Sequence, residues 1–172
     1  KVAVPHYTAM TPKNRSRLRA LQNDANLFRL LDLPERLFAP NAKKSKAYTR
    51  ALAREDAIAI AILQYCPIRV QNLSHIHLET NLHRPGDGRA YLVFEENEVK
   101  NSRPLEFEVP RDLVKMIDTH LQTRCPMLCP PGTPWLFPRR DGSRAIDASE
   151  LATRISKRIR KETGLEVNAH LF

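Results

Sequence analysis

The sequence AIAIAILQYCPIRVQNL, residues 57–73, decides the fold because it joins a long apolar segment to a single arginine. No charged residue lies between Asp56 and Arg69. A helix with this pattern buries most of its surface, so we expect a central helix over residues 49–66. Arg69 is then either a surface residue that follows the helix or a charge held at the floor of an anion-binding site.

The composition indicates one basic globular domain. The chain has 172 residues, 42% of them hydrophobic, which suits a single core. Lys and Arg number 28 against 19 Asp and Glu, which gives a net charge of +9 and a pI of about 9.8. Such a balance is expected of a protein that meets a polyanion, and nucleic acid is the leading candidate. Basic proteins also bind acidic proteins or membrane surfaces, so the motifs must distinguish among these partners.

The cysteines and the apolar runs indicate the compartment in which the protein is expected to work. Three cysteines are an odd and sparse set, which argues against a disulfide framework and favours a reducing cytosol. Cys125 and Cys129, in CPMLC, could form half of a metal site, but no Cys/His pair follows at ligand spacing, so we interpret them as small apolar residues near a loop. The longest apolar run, residues 57–66, is about half of what a bilayer needs. We therefore expect a soluble protein with no membrane partner.

Helix signals dominate both ends of the chain. Thr11 and Pro12 have the pattern of an N-cap followed by the first helical position, and the next segment is expected to form two short helices broken at Pro34. A further helix is predicted to begin at Pro110. The last helix is predicted to have Asp147 or Ser149 as its cap and to end at Gly164.

The middle of the chain has the pattern of a small sheet. Three segments alternate or run apolar and are rich in β-branched and aromatic residues: HIHLE (75–79), RAYLVFEE (89–96) and PLEFEV (104–109). Turn-rich sequences separate them, as in antiparallel hairpins. We therefore predict an α+β fold, mainly helical, with a three-stranded antiparallel sheet.

The order of these motifs resembles one family. A helix ending in YCPIRVQNL, a hairpin with KNSRPLEFEVP, then WLFPRRDG, a basic helix and GLEVNAHLF follow one another. In this order the chain resembles the catalytic domain of the tyrosine recombinases, the phage integrase family. The resemblance implies helices packed around a small three-stranded antiparallel sheet. It also implies that residues 1–10 are a linker from a preceding DNA-binding domain and that residues 11–172 are a partial catalytic domain.

The resemblance assigns three catalytic residues. Arg69 matches the arginine that grips the scissile phosphate, Lys100 the general acid that protonates the departing 5′ hydroxyl, and His170 the histidine that opens a His-x-x-Arg motif. The second arginine would directly follow Phe172, and the nucleophilic tyrosine would lie further on. We therefore expect the 172-residue chain not to cleave DNA by itself.

The residue types suit metal-free phosphoryl transfer, and no metal or cofactor is expected. In the family a tyrosine attacks the phosphodiester and forms a 3′ phosphotyrosine bond. Guanidinium groups match the negative charge of the transition state with bidentate donors. A histidine positions or accepts the tyrosine proton, and a lysine supplies one to the leaving group. His75, His77 and His83 could be considered as metal ligands, since His75 and His77 would share a face of a strand. No acid or cysteine has a persuasive spacing beside them, so we interpret all three as polar-face residues.

Each assignment has a simpler alternative, and the chain departs from the family at two places. Arg69 could be a surface arginine, Lys100 an edge charge that discourages aggregation, and His170 an exposed residue. Three residues after the arginine the family usually has Glu or Asp, whereas this chain has Asn72, a neutral side chain that accepts through one oxygen only. Pro-Ile also replaces the common Gly-Leu before the arginine. These departures indicate a divergent branch.

DNA contact is expected to spread along the basic segments through phosphate neutralisation, which positions a protein without reading sequence. The candidates are Arg15, Arg17, Lys43, Lys44, Arg139, Arg140, Arg154, Lys157 and Arg158. The resemblance implies double-stranded DNA at a recombination site as the partner, a tetramer of protomers for the complete protein, and a cytoplasmic, nucleoid-associated location.

Two alternatives from other classes remain. One is a non-catalytic DNA-binding module that keeps the same fold and basic surface without the chemistry. The other is an unrelated basic α+β protein that binds RNA, although no strand carries the paired aromatic residues of a stacking platform.

Overall fold

A computed structural model of the chain describes residues 11–39, 46–100 and 103–169. Three of the predicted site residues, Lys43, Lys44 and His170, lie outside these ranges, as does the predicted linker over residues 1–10.

The first three helices form a short N-terminal layer. Helix α1 (Pro12–Leu21) begins as predicted, and Thr11 Oγ1 accepts a hydrogen bond from the Asn14 N–H at 3.3 Å. Helices α2 (Asp24–Leu31) and α3 (Leu33–Phe38) follow.

The break between α2 and α3 lies before the position predicted for it. The chain breaks at Asp32, and Pro34 lies in the first turn of α3. A proline is tolerated in the first turn because the missing N–H has no helical partner there. The prediction of a break at Pro34 was therefore wrong in position.

Helix α4 (Ala47–Tyr65) is the central helix, close to the predicted bounds. Residues 55–63 are all buried, and α4 packs against α3, α6 and α7. Its apolar side chains form one core with those of the sheet and of the C-terminal helices. The prediction of a largely buried helix is confirmed.

A short helix that the sequence analysis missed follows directly. Helix α5 (Val70–Ser74) has Arg69 at its N-cap position, and Asn72, Leu73 and Ser74 are buried in it. Its five residues carry no repeating apolar pattern long enough to be recognised as helical.

The three-stranded antiparallel sheet is confirmed, with the order β1-β2-β3. The strands are β1 (Leu82–His83), β2 (Tyr91–Phe94) and β3 (Leu105–Glu108), shorter than predicted. Leu92 pairs with Leu82 on one side and with Phe107 on the other. A 3₁₀ turn, Glu96–Glu98, ends β2 and leads to Lys100.

The first strand does not lie where the alternation HIHLE predicted it. The Asn81 N–H donates to the His77 carbonyl oxygen at 2.9 Å and closes a turn, while His77 forms an isolated bridge with Trp135. The strand predicted from this alternation was wrong because the buried Asn81 closes a turn with His77 before β1 begins.

Helices α6 (Arg111–Thr123) and α7 (Ala148–Thr163) complete the fold. Gly164 ends α7 with φ of 76°, a left-handed conformation that favours glycine. Asp147 occupies the N-cap position of α7, but its side chain makes no capping bond. The fold is thus α+β and mainly helical, and no described helix is long and apolar enough to cross a membrane.

Candidate functional site

Arg69 lies where α4 has ended and α5 begins. Its side chain is exposed and lines an open depression of about 670 Å³. The other lining residues come from α5 and from the beginning of α7: Val70, Gln71, Asp147, Ala148, Ser149 and Ala152. A guanidinium beside the N-terminal end of a helix favours an anion. Arg69 is therefore an exposed residue directly after the central helix, and it also lines a depression beside the first turn of α7, so its assignment as an anion-binding residue stays a prediction.

The acidic residue in this depression is paired with other arginines. The Asp147 carboxylate lies 2.9 Å from Arg144 Nη1 and 3.4 Å from Arg139 Nη2. These pairs are about half exposed, so each stabilises the fold only weakly. They nevertheless offset the negative charge that an incoming anion would meet beside Arg69.

Lys100 is exposed and follows the 3₁₀ turn at the end of β2. The turn is bonded to α5, because Asn72 Nδ2 donates to the Glu98 carbonyl oxygen at 2.8 Å. Asn72 lies three residues after Arg69, and Glu98 lies two residues before Lys100. One hydrogen bond therefore joins the two segments that carry these predicted catalytic residues.

A second asparagine holds the same turn from the sheet side. Asn81 Nδ2 donates to the Val93 carbonyl oxygen and to Glu98 Oε1, each at 3.0 Å. Glu98 Oε2 also accepts from the Glu95 N–H at 2.8 Å. Asn81 is buried, so water does not compete strongly for these hydrogen bonds, and they hold the segment that leads from β2 to Lys100.

The bond made by Asn72 differs from the role that the sequence suggested. By the resemblance, this position was expected to support Arg69 as a hydrogen-bond acceptor. In the structure its amide nitrogen donates to a backbone carbonyl oxygen, a bond that an ionised Glu or Asp cannot make because it has no proton to donate. Asn72 thus makes a hydrogen bond in this chain that the family's usual Glu or Asp could not make.

Two of the predicted DNA-contacting residues line one groove. Arg17 on α1 and Lys157 on α7 lie in a groove of about 260 Å³, together with Lys13 and Arg160. Glu166 is the acidic residue of this groove. Arg15 is exposed on α1. The structure therefore brings cations from the two ends of the chain onto one basic surface, which we call the α1–α7 groove.

Arg139 and Arg140 line a second depression, of about 360 Å³. Arg139 pairs with Asp147, as described above. Arg140 lies with its guanidinium carbon 5.5 Å from the centre of the Tyr48 ring and its Nη2 4.0 Å from Glu55 Oε2. Both arginines keep more than a third of their side chains exposed, so they remain accessible to a phosphate.

Arg154 and Arg158, which the sequence analysis placed among the DNA contacts, form ion pairs inside the protein. Arg154 Nη2 lies 2.7 Å from Glu55 Oε2, and Arg154 Nε lies 2.7 Å from Asp56 Oδ1. Arg158 Nε donates to Asp56 Oδ2 at 2.9 Å. The two arginine side chains are only 18% and 15% exposed, and those of the two acids 1%. Their charges are compensated inside the protein, between α4 and α7.

The sequence carries a signal for this cluster. Glu55 and Asp56 stand immediately before an uncharged apolar run, where a helix is expected to be buried. Buried carboxylates need partners, and two arginines four residues apart share one face of a helix. The pair Arg154 and Arg158 meets that requirement.

Burial governs the titration of Glu55. Loss of hydration raises the pKa of its carboxyl group, while Arg154 and Arg140 lower it and the neighbouring Asp56 raises it further. The net direction is upward. The two arginines therefore offset only part of the cost of burying this charge.

His120 on α6 is fully buried beside the same cluster. Burial lowers the pKa of its ring to about 3, and the charges of Arg124, Arg54 and Arg154 act in the same direction. Neither ring nitrogen has a hydrogen-bond partner among the described residues. His120 is therefore a neutral core side chain near neutral pH.

Two of the histidines considered for a metal site pack on a tryptophan. The rings of His77 and Trp135 are 4.9 Å apart, and those of His75 and Trp135 are 6.4 Å apart, both edge to face. Within residues 11–39, 46–100 and 103–169, no group of three or more His, Cys, Asp or Glu side chains could hold one metal ion.

Comparisons of the chain with protein-family models, with curated proteins and with solved structures found no match.

Replacing Arg154 by Ala should lower the free energy of unfolding by about 3–5 kcal/mol, because it removes the closest partner of the buried Glu55 and leaves Asp56 with Arg158 alone. The measurement is urea-induced unfolding near neutral pH. Lys157→Ala, an exposed change on the same helix, is the matched control and should cost less than about 0.5 kcal/mol. Equal small losses for both variants would contradict a structural role for the ion cluster.

Replacing His120 by Leu should flatten the dependence of stability on pH. Between the folded pKa of about 3 and the ordinary value of 6.5, the unfolded chain binds a proton that the folded chain does not. Wild-type stability should therefore fall as pH is lowered through this window, by up to about 1.4 kcal/mol per pH unit from this group.

Urea unfolding at several pH values in that window measures the effect, since the other titrating groups are common to both proteins. His83→Gln, at an exposed histidine, is the control and should keep the wild-type slope. A His120→Leu variant with the wild-type slope would show that His120 does not resist protonation.

Proposed function

We propose that this chain is part of the catalytic domain of a site-specific tyrosine recombinase, which in the complete protein cleaves and rejoins DNA through a 3′ phosphotyrosine intermediate. The observation that carries the proposal is the hydrogen bond from Asn72 to the Glu98 carbonyl oxygen. It joins the segment of Arg69 to the hairpin of Lys100, and both side chains are exposed. A DNA phosphate could therefore meet an exposed arginine and a lysine on adjoining segments of the chain.

The proposed roles follow from the chemistry of the two side chains. Arg69 would bind the non-bridging oxygens of the scissile phosphate, where negative charge grows in the transition state. Lys100 would protonate the departing 5′ oxygen, since an ammonium at the end of a hairpin can donate its proton and withdraw. By resemblance His170 would assist at the same phosphate, and the nucleophile would be a tyrosine outside this sequence.

The basic surfaces support double-stranded DNA as the partner. The α1–α7 groove and the depression beside Arg139 and Arg140 present cations from separate parts of the chain. Such cations neutralise phosphates and release counterions, which supplies affinity without sequence specificity. We further propose that other protomers assemble with this one on the recombination site, in the cytoplasm and associated with the nucleoid.

A non-catalytic DNA-binding module of the same fold is the second candidate. Asn72 favours it, because the family's usual carboxylate is absent while the basic grooves remain. The two candidates share DNA binding and differ in whether a covalent bond to DNA can form.

Replacing Arg17 or Lys157 by Ala should reduce the salt dependence of DNA binding. If each side chain neutralises one phosphate, the slope of log affinity against log salt concentration falls in magnitude by about 0.9 per residue, and by about twice that in the double variant. Fluorescence anisotropy with a labelled duplex at several salt concentrations measures the slope. Lys115→Ala is the control, since Lys115 pairs with Asp112 on α6. A double variant with the control's slope would remove the α1–α7 groove from the DNA interface.

The decisive experiment uses a longer form of the protein that includes the expected tyrosine. It is mixed with a nicked duplex that carries the attachment site, and a covalent protein–DNA band is sought on a denaturing gel. Arg69→Ala should reduce the rate of band formation by about 10²–10³-fold, and Lys100→Ala by about 10²–10⁴-fold. Arg84→Ala, an exposed arginine paired with Asp118, should leave the rate unchanged.

A 5′ sulfur leaving group separates the two roles. Because a thiolate leaves without a proton, it should restore the rate of Lys100→Ala and leave Arg69→Ala impaired. Salt-sensitive DNA binding without any covalent band would favour the non-catalytic module. Rescue of both variants, or of neither, would contradict the separate roles of these residues.

A further inference from the structure

Two cysteine thiols meet in the turn that follows α6. Cys125 Sγ and Cys129 Sγ lie 3.6 Å apart, within van der Waals contact. Cys129 is buried, whereas Cys125 is partly exposed. The pair thus has one sulfur that a small reagent can reach and a second sulfur directly behind it.

The surrounding structure holds the turn in place. The buried Arg124 donates from Nη1 to the Trp135 carbonyl oxygen and from Nη2 to the Thr133 carbonyl oxygen, both at 2.6 Å. The Leu128 N–H donates to the Arg124 carbonyl oxygen at 2.8 Å. Thr133 Oγ1 in turn donates to the Pro130 carbonyl oxygen at 2.7 Å. Because the turn is anchored before, within and after the cysteine pair, the contact of the two sulfurs is a feature of the folded chain.

We propose that Cys125 and Cys129 are a thiol modification site, at which a hydroperoxide converts the pair to an intramolecular disulfide. The Cys125 thiolate attacks the outer oxygen of the peroxide, the O–O bond breaks, and Cys125 sulfenic acid forms with loss of alkoxide or hydroxide. The Cys129 sulfur then attacks the Cys125 sulfur and displaces the hydroxyl group as water, using the proton released by Cys129. Overall two thiols lose two electrons and two protons, and the peroxide is reduced to an alcohol and water, or to two waters.

The third cysteine is the internal comparison. Cys66 is fully buried, and burial raises the pKa of its thiol to about 11. It therefore carries almost no thiolate near neutral pH and no path to an oxidant. Burial also raises the pKa of the Cys129 thiol, which is consistent with Cys125 as the residue that is oxidised first.

The site adjoins one of the predicted DNA contacts. Arg140 Nη1 donates to the carbonyl oxygen of Leu128 at 3.3 Å, and Leu128 lies between the two cysteines in sequence. The ring closed by the disulfide is short, so it constrains the unfolded chain less than a disulfide that spans a long loop. The modification is therefore measured chemically.

The test uses the folded 172-residue chain, reduced and freed of reductant, with hydrogen peroxide as the probe. After an acid quench and denaturation, remaining thiols are alkylated and the protein is analysed by intact mass and by peptide mapping. The alkylatable thiols should fall from three to one. A cross-link between Cys125 and Cys129 should appear with the loss of two hydrogens, and dithiothreitol should reverse it.

Matched variants keep each outcome interpretable. Cys66→Ser should form the cross-link at the wild-type rate, and Cys129→Ser should instead accumulate over-oxidised Cys125. Cys125→Ser should slow oxidation of the remaining thiols at least tenfold. The proposal is overturned if peroxide leaves three alkylatable thiols, if the main cross-link includes Cys66, or if Cys125 in the wild type proceeds to sulfinic acid faster than it pairs. Far-UV circular dichroism of each variant confirms that the thiols are compared in folded protein.

Discussion

The burial of two adjacent carboxylates on the central helix is the constraint on which the rest of the structure depends. Glu55 and Asp56 are inaccessible to water, and a buried charge without a partner costs several kcal/mol. Arg154 and Arg158 supply the partners from one face of α7. A shift of α7 along its axis would leave a carboxylate unpaired, so the cluster fixes the position of α7 against α4.

The position of α7 in turn determines two candidate surfaces, the depression beside Arg69 and the α1–α7 groove. Its first turn lines the depression beside Arg69, and Lys157, on its exposed side, lines the α1–α7 groove. The internal ion pairs therefore position both surfaces, although Arg154 and Arg158 themselves are largely buried. Because the cluster buries two positive and two negative charges together, it leaves the net charge of +9 available to attract a polyanion.

Local patterns in the sequence predicted the elements whose signals lie within a few residues. Thr11 and Pro12 marked the start of α1, Gly164 marked the end of α7, and the uncharged run after Asp56 predicted the central helix. The same reasoning failed for α5 and for β1, where buried asparagine side chains make bonds across many residues. Asn72 bonds to Glu98 and Asn81 bonds to Val93, and no periodicity records such pairs.

The same limit applies to the candidate site. The motifs predicted Arg69 and Lys100 as site residues, but the sequence could not show that one side-chain amide links their segments. Nor could it separate Arg154 and Arg158 from Lys157, because all three are basic residues on one helix and only burial distinguishes them.

The amide of Asn72 also changes the electrostatics around Arg69. A carboxylate three residues after the arginine would place a negative charge on the same short helix and would compete with a phosphate for the guanidinium. An amide removes that charge and uses its N–H₂ group to hold the hairpin through the backbone of Glu98. Asn72 thus holds the segment of Lys100, and the electrostatic potential at Arg69 is more positive than it would be with a carboxylate at this position. A chain that binds an anion at this arginine gains from that exchange, whether the bound phosphate is cleaved or only held.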